Sequence, residues 1–280
     1  MSTIAFPGLG LKFNINPVAF SVFGKDVYWY GIIISAAFLI TIILAQRDSK
    51  KFNIESEYIV DLVLFAIPAA IIGARVYYVV FRWQDYQNNP GEMFAIWHGG
   101  LAIYGGILAA MVVAYVFAKK KKIGVFKLFD FLAPYLALGQ AIGRWGNFIN
   151  QEAYGAITSL PWRMQITASD NISRIEVHPT FLYESLWNLG VYIFLIWYRK
   201  RNKISGEIFM LYMILYGLGR FWIEGLRTDS LMWGGFRVSQ ILAGIFVLCF
   251  TIILISTRKH VLCRLDVNKN DKTTLTETNK

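Results

Sequence analysis

The sequence predicts an all-α polytopic membrane protein. It has seven transmembrane helices, the N-terminus outside, the C-terminus in the cytosol, and a small extracytoplasmic head between the fourth and fifth helices. Three observations predict this. Of 280 residues, 56% are hydrophobic and only 16% charged, with a mean hydropathy of +0.45, whereas soluble domains carry roughly 25% charged residues. Seven segments reach the roughly 20 mainly apolar residues that a spanning helix needs. Lysines and arginines gather in alternate connections, and that asymmetry sets orientation.

Residues 1–26 hold scattered apolar side chains with Pro7 and Pro17 and read as an amphipathic arm on the membrane surface. They lack the basic, then apolar, then small-residue order of a cleaved signal peptide. The spans follow at about 27–46, 57–81, 97–118, 127–147, 181–199, 206–226 and 238–257, which together form one transmembrane domain, 27–257. Pro68 and Pro134 interrupt the second and fourth spans, as is tolerated where packing re-satisfies the freed carbonyl. The first connection carries Arg47, Lys50 and Lys51, the third Lys119 to Lys122 and Lys127, and the fifth Arg199, Lys200, Arg201 and Lys203. The tail, 258–280, opens with Arg258 and Lys259 and reads as largely disordered. These groups lie on one side, and the positive-inside bias makes that side cytosolic. The other side has the Trp-rich turn 82–97, the longer loop 148–180 as the outer head, and the turn 227–237.

The net charge of +10 belongs to those loops. No basic helix or finger motif marks a nucleic-acid binder. Cys249 falls in an apolar run and Cys263 in the tail, so no disulfide framework is indicated. The three histidines show no metal-ligand spacing, and neither a G-x-S-x-G elbow nor a P-loop is present.

Polar residues inside the spans are where chemistry is to be sought, because a bilayer penalises them unless they are partnered. The run Gly143-Arg144-Trp145-Gly146-Asn147-Phe148-Ile149-Asn150-Gln151-Glu152-Ala153-Tyr154-Gly155 leaves an apolar span carrying an arginine, two asparagines and a glutamate. Helices two, four and six all run outward, and each has glycine and arginine near its outer end: Arg75, Arg144 and Arg220. These arginines lie about 14–18 residues past the cytosolic starts. At roughly 1.5 Å per residue that is on the order of 21–27 Å into a core roughly 30 Å thick. Isolated arginines snorkel to headgroups. Three at matched depth point to a cationic cage for a lipid phosphate.

Glu224 and Tyr216 each lie one turn from Arg220, and Glu224 can pair with it. Arg227 and Asp229 follow at the outer turn. Tyr28, Trp29 and Tyr30 open the first span as an aromatic belt, with one hydroxyl able to face the cage. His98-Gly99-Gly100-Leu101-Ala102-Ile103-Tyr104-Gly105-Gly106 opens the third span. Its glycines serve either tight helix packing or room for a bound molecule. The run from His178 to Glu184 starts the fifth span, with His178 in a capping or interfacial role rather than that of a ligand or base.

These residues resemble the prolipoprotein diacylglyceryl transferases of bacterial inner membranes. Gly143 to Gly155 fills every fixed position of that family's signature, G-R-x-[GA]-N-F-x-N-x-E-x-x-G. Trp29 to Gly31, Gly73 to Arg75, His98 to Gly106, His178 to Glu184 and Tyr216 to Arg227 are similar too. The resemblance covers about residues 16–240.

It implies transfer of a diacylglyceryl group from phosphatidylglycerol to the lipobox cysteine thiol of a prolipoprotein signal peptide, in the bacterial plasma membrane, without metal or nucleotide. It further implies that Arg144 and Arg220 stabilise the departing phosphate, that Tyr30 is functional and that Arg75 is a supporting cation. The family often has histidine where Tyr104 stands. Tyr104 is therefore either deprotonated by the cationic field or an orienting donor, and His98 or Glu152 is left to take the thiol proton. Asn147 and Asn150 offer amides to phosphate or glycerol hydroxyls, or cap the fourth helix. Glu152 holds Arg144 or Arg163, or touches substrate.

A transporter for an anionic or lipid substrate is the rival reading, since broken helices and intramembrane arginines suit it as well. Against it, the charges cluster at one depth and no inverted repeat shows. A retinal receptor would need a lysine in the last span, and residues 238–257 contain none. An intramembrane protease would need a serine–histidine or paired-aspartate motif, and the spans lack one.

Overall fold

A computed structural model describes residues 2–167, 173–202, 204–228 and 232–277. Lys203 and Asp229, singled out above, fall outside them. Long helices occupy the predicted spans: α1 (Trp29–Ser49), α2 (Ser56–Phe81), α4 (Ile103–Lys120), α5 (Val125–Asn150), α6 (Thr180–Tyr198), α7 (Glu207–Glu224) and α8 (Val238–Glu277), with one short turn of helix, α3 (Trp83–Tyr86), after α2. Five of these, α1, α2, α4, α5 and α8, are long and apolar enough to cross a membrane. α6 and α7 are 19 and 18 residues long. They carry the buried polar residues Glu184, Asn188, Glu207 and Glu224, which dilute their apolarity.

Large apolar residues such as Leu64, Phe65, Ile72 and Val112 face outward while these polar groups are buried. That is the distribution expected when the surrounding solvent is hydrocarbon. Pro68 and Pro134 sit inside α2 and α5 without ending them.

The chain divides into two compact units, Ile42–Phe131 and Met1–Thr41 with Leu132–Lys280. In the first, α2 and α4 approach with backbone nearly touching backbone. A Cβ on Gly73 would lie 2.6 Å from Gly105 O, and one on Gly105 would lie 2.3 Å from Gly73 O. Only glycine allows that distance. α4 begins at Ile103, later than the predicted 97, because Gly99 and Gly100 take φ of +84° and +73° and form a turn.

In the second unit, residues expected to form a surface arm are strands β1 (Ser2–Phe6), β2 (Leu11–Ile15), β3 (Val18–Val22) and β4 (Lys25–Tyr28). β1 joins β5 (Met164–Thr167) and β6 (Arg174–Val177) of the head between α5 and α6 in one sheet, order β2-β1-β5-β6, with Ala5 opposite Gln165. Ile4 and Phe6 alternate inward to meet Met164, Ile166 and Val177, together with Phe148 of α5 and Phe181 of α6. The sheet is therefore seated on the ends of those helices. A period-two apolar face decides for strand over amphipathic helix.

A two-stranded hairpin, β7 (Met232–Trp233) and β8 (Phe236–Arg237), links α7 to α8. At the other end of the same helices, Arg258 and the Tyr198 hydroxyl both donate to buried Glu207, and Arg258 also donates to Tyr198 Oη. α8 continues its backbone ladder to Glu277, into the segment expected to lack structure. A helix already nucleated propagates without the nucleation cost.

Candidate active site

The signature run is the C-terminal end of α5 and the turn beyond it. α5 stops at Asn150, and Gln151 takes φ +52°. Gln151 N donates to Phe148 O at 3.2 Å and Glu152 N to Asn147 O at 3.1 Å. These bonds satisfy carbonyls that a helix end leaves open. A left-handed glutamine is tolerated because Gln151 Oε1 accepts from Thr167 N of β5 at 3.1 Å. Ala153 follows at φ +57°, its carbonyl accepting from Thr180 Oγ1 of α6. Gly155 N then donates to His178 O at 3.0 Å, and Ala156 N to Leu226 O at 2.7 Å. A Cβ on Gly155 would lie 2.7 Å from His178 Cβ, so the last signature glycine is needed for this close crossing. One turn thus ties together the C-terminal ends of α5 and α7 and the start of α6.

Those ends carry the charges. Glu184, 4% exposed, is the hub. Its Oε2 lies 2.5 Å from Arg144 Nη2, and its Oε1 lies 3.2 Å from Arg220 Nη1 and 3.8 Å from Arg227 Nη1. Glu224, 2% exposed, places Oε2 at 2.7 Å from Arg220 Nη2 and 3.9 Å from Arg227 Nε. The shorter of these is an ion pair that lacks hydrogen-bond alignment. Three guanidiniums thus converge on two buried carboxylates, a local concentration of charge. The arginine side chains are only 12–21% exposed, so solvent screens that charge weakly.

Neighbouring side chains hold the cluster in place. Arg144 Nη1 donates to Asn147 Oδ1 at 3.3 Å, and Asn147 Nδ2 to Glu152 Oε1 at 2.8 Å. Glu152 therefore reaches Arg144 through Asn147. Arg163 pairs instead with Glu176 in the head hairpin, at 2.5 Å. Trp145 Nε1 donates to Ser185 Oγ, which donates to Ala141 O, locking α6 against α5 beside Glu184. Tyr30 of α1 lays its ring on Gly146, where a Cβ would come within 2.6 Å of it. Arg237 of β8 donates to Gly225 O and Arg227 O, fixing the backbone after α7. Tyr216 lies one turn below Arg220, its ring stacked on Tyr212 at 5.8 Å. His178 Nδ1 is 3.3 Å from Tyr183 Oη, which accepts from Trp162 Nε1 at 2.7 Å. Asn150 is exposed.

The other unit holds Arg75, His98 and Tyr104. Arg75 spends its guanidinium on backbone carbonyls: Met93 at 2.9 Å, Glu92 at 2.5 Å, Gly99 at 2.6 Å and Gly100 at 3.0 Å. The glycine turn expected to give room either for packing or for a bound molecule thus receives Arg75. His98 Nδ1 lies 2.9 Å from Glu92 Oε2, in an exposed pair. Tyr104 is 42% exposed near the start of α4.

Sequence reasoning passed over Glu184 as a site residue and left Arg227 as a bystander. Glu184 stood in a quoted motif, but its partners are on other helices and no spacing reveals them. No cluster of three or more metal-type ligands occurs among the described residues.

The family model described as prolipoprotein diacylglyceryl transferase matches residues 17–256. Similar proteins carry the name phosphatidylglycerol–prolipoprotein diacylglyceryl transferase. One from Finegoldia magna is 47% identical over 249 residues, 89% of this chain and 98% of the relative. One from Listeria welshimeri is 47% identical over 251 residues, 88% and 90%. One from Pediococcus pentosaceus is 44% identical over 259 residues, 90% and 93%.

Proposed function

The chain belongs to the prolipoprotein diacylglyceryl transferase family, and from that membership we propose that it moves the diacylglyceryl group of phosphatidylglycerol onto the lipobox cysteine of a prolipoprotein, the first step of lipoprotein maturation. The cysteine sulfur forms a bond to the glycerol carbon that carries the phosphate. The C–O bond to phosphate breaks, its electron pair leaves with glycerol phosphate, and the thiol proton passes to a base.

One observation supports this chemistry most: the guanidiniums of Arg144, Arg220 and Arg227, largely shielded from solvent, converge around Glu184 and Glu224. A phosphodiester monoanion suits such a group of guanidinium donors. As the C–O bond breaks, the phosphate gathers further negative charge, so the arginines stabilise the transition state more than the bound lipid. Arg144 and Arg220 are the residues assigned to phosphate. Each reaches Glu184 through one Nη, and lipid binding exchanges that carboxylate oxygen for a phosphate oxygen.

Asn147, held by Glu152, presents its amide toward the headgroup glycerol. Tyr30 and Tyr216 line the site, and Glu224 keeps Arg220 aimed. Arg75 supports by fixing loop 92–100. Tyr104 orients substrate, and His98, beside Glu92, is a base for the thiol, whose unperturbed pKa of about 8.5 requires only modest assistance.

The proposed arrangement is seven spans, α6 and α7 included, with the head and the arginine cluster toward the outer face of the bacterial plasma membrane and the lysine-rich turns in the cytosol. Incubating purified protein with phosphatidylglycerol vesicles and a lipobox peptide tests the function. Glycerol phosphate released one-for-one with modified peptide is expected. Lipid movement across the vesicle without peptide modification would establish transport instead.

A further inference from the structure

α6 and α7 enclose a small cleft on the side of the Glu184–Arg220 pair away from the head. Asn188, one turn after Glu184, and Tyr216, one turn before Arg220, form its wall. Its free space is about 10 Å³, enough for one water-sized atom. Asn188 is 3% exposed, and no described residue hydrogen-bonds its amide. The Tyr216 hydroxyl has no described hydrogen-bond partner either. The other polar groups of the cleft are engaged: Trp187 Nε1 donates to Leu215 O at 2.9 Å, and Glu184 and Arg220 pair with each other. A buried amide without a partner is disfavoured, and native structures keep such groups for a ligand or an ordered water.

We propose that Asn188, with Tyr216, is the recognition site for an acyl-ester carbonyl of the phospholipid donor, making it a specificity-determining residue for diester lipids. The inference rests on the reading that Arg144 and Arg220 hold the lipid phosphate. A helical turn of four residues spans about 6 Å. With phosphate at Arg220, the glycerol and its ester groups follow on the acyl side, and that side is where Asn188 and Tyr216 stand. A carbonyl oxygen accepts two hydrogen bonds. Asn188 Nδ2 and Tyr216 Oη are two donors with no described acceptor, on side chains that line a space the size of one oxygen. The ester carbonyl is absent from a dialkyl ether lipid of the same headgroup and chain length, so the cleft discriminates between the two.

The test compares phosphatidylglycerol with its 1,2-dialkyl ether analogue as donors to one lipobox peptide, in wild type, Asn188→Leu, Asn188→Ala and Tyr216→Phe. The readout is the ratio of kcat/KM for the two donors, which cancels the amount of active enzyme. Wild type should favour the diester by about tenfold, the worth of one or two hydrogen bonds. Asn188→Leu should bring the ratio close to one, and Tyr216→Phe should lower it. Asn188→Ala, which needs no added volume, serves the same purpose if the leucine variant does not accumulate. An unchanged ratio in every variant overturns the proposal, as does an effect confined to KM for the peptide. If wild type modified no peptide with either donor, the transfer reading itself would fall.

Discussion

Glu184→Gln separates the cluster's charge from its shape. Glutamine keeps the side-chain length and one acceptor oxygen but removes the carboxylate that faces Arg144, Arg220 and Arg227 at 2.5, 3.2 and 3.8 Å. One negative charge is then lost from among the three guanidiniums, and the cluster becomes more positive by one unit. Withdrawing one partner from a buried pair typically costs about 3–5 kcal/mol, and the retained amide oxygen places this substitution near 3. Thermal unfolding in detergent should show a clear drop in midpoint.

Binding should move the other way. Arginines no longer resting on Glu184 should take glycerol phosphate more tightly, so product inhibition strengthens by about tenfold, which corresponds to about 1.4 kcal/mol. Turnover should fall, because guanidiniums without a fixed carboxylate are less preorganised. Lower stability with unchanged product inhibition would mean that Glu184 only packs. No change in either would refute its place as the hub.

Four further outcomes are expected. Arg75→Ala should strip the donors from four loop carbonyls and raise hydrogen exchange across residues 92–100, with transferase activity falling less than for Arg144→Ala; normal protection there would disprove the looping role. Gly219→Ala puts a Cβ 2.2 Å from Trp187 Nε1, so indole fluorescence should shift as Trp187 leaves Leu215 O, and an unshifted spectrum would show that α6 and α7 part freely. Tyr104→His should retain activity if the position only orients substrate or serves as base, and Tyr104→Phe at full rate would remove its hydroxyl from the chemistry. Glu207→Gln should lower the unfolding midpoint by leaving Arg258 without its carboxylate while the donor specificity ratio stays constant, and a changed ratio would implicate that end of the bundle in catalysis.

What the sequence made legible follows from how local each signal is. Helix positions were readable from twenty-residue apolar runs, and the Arg220–Glu224 pair from i,i+4 spacing on one helix. Glu184 was not readable as the hub, because its contacts with Arg144 and Arg220 cross 40 and 36 residues. The N-terminal strands were misread because β1 finds its partner at Gln165, far along the chain; two short strands alone lack the apolar face that the head supplies. Arg75 shows a limit of motif reasoning. Like Arg144 and Arg220 it follows a glycine near the C-terminal end of a span, yet the glycine turn at 99–100 folds back and takes its donors. The signature run was legible as a site, while the reason for its last glycine, the crossing with His178, appears only in three dimensions.

The most direct measurement pairs Arg144→Ala with Arg220→Ala in one purified protein, verified as folded by its unfolding transition, and looks by mass spectrometry for the diacylglyceryl thioether on a lipobox peptide supplied with phosphatidylglycerol. Each removed donor group at such a site is worth about 10²–10³ in turnover, so wild type should yield the adduct and the double variant essentially none. Adduct formed at the wild-type rate by the folded double variant would contradict the claim that these guanidiniums carry the departing phosphate.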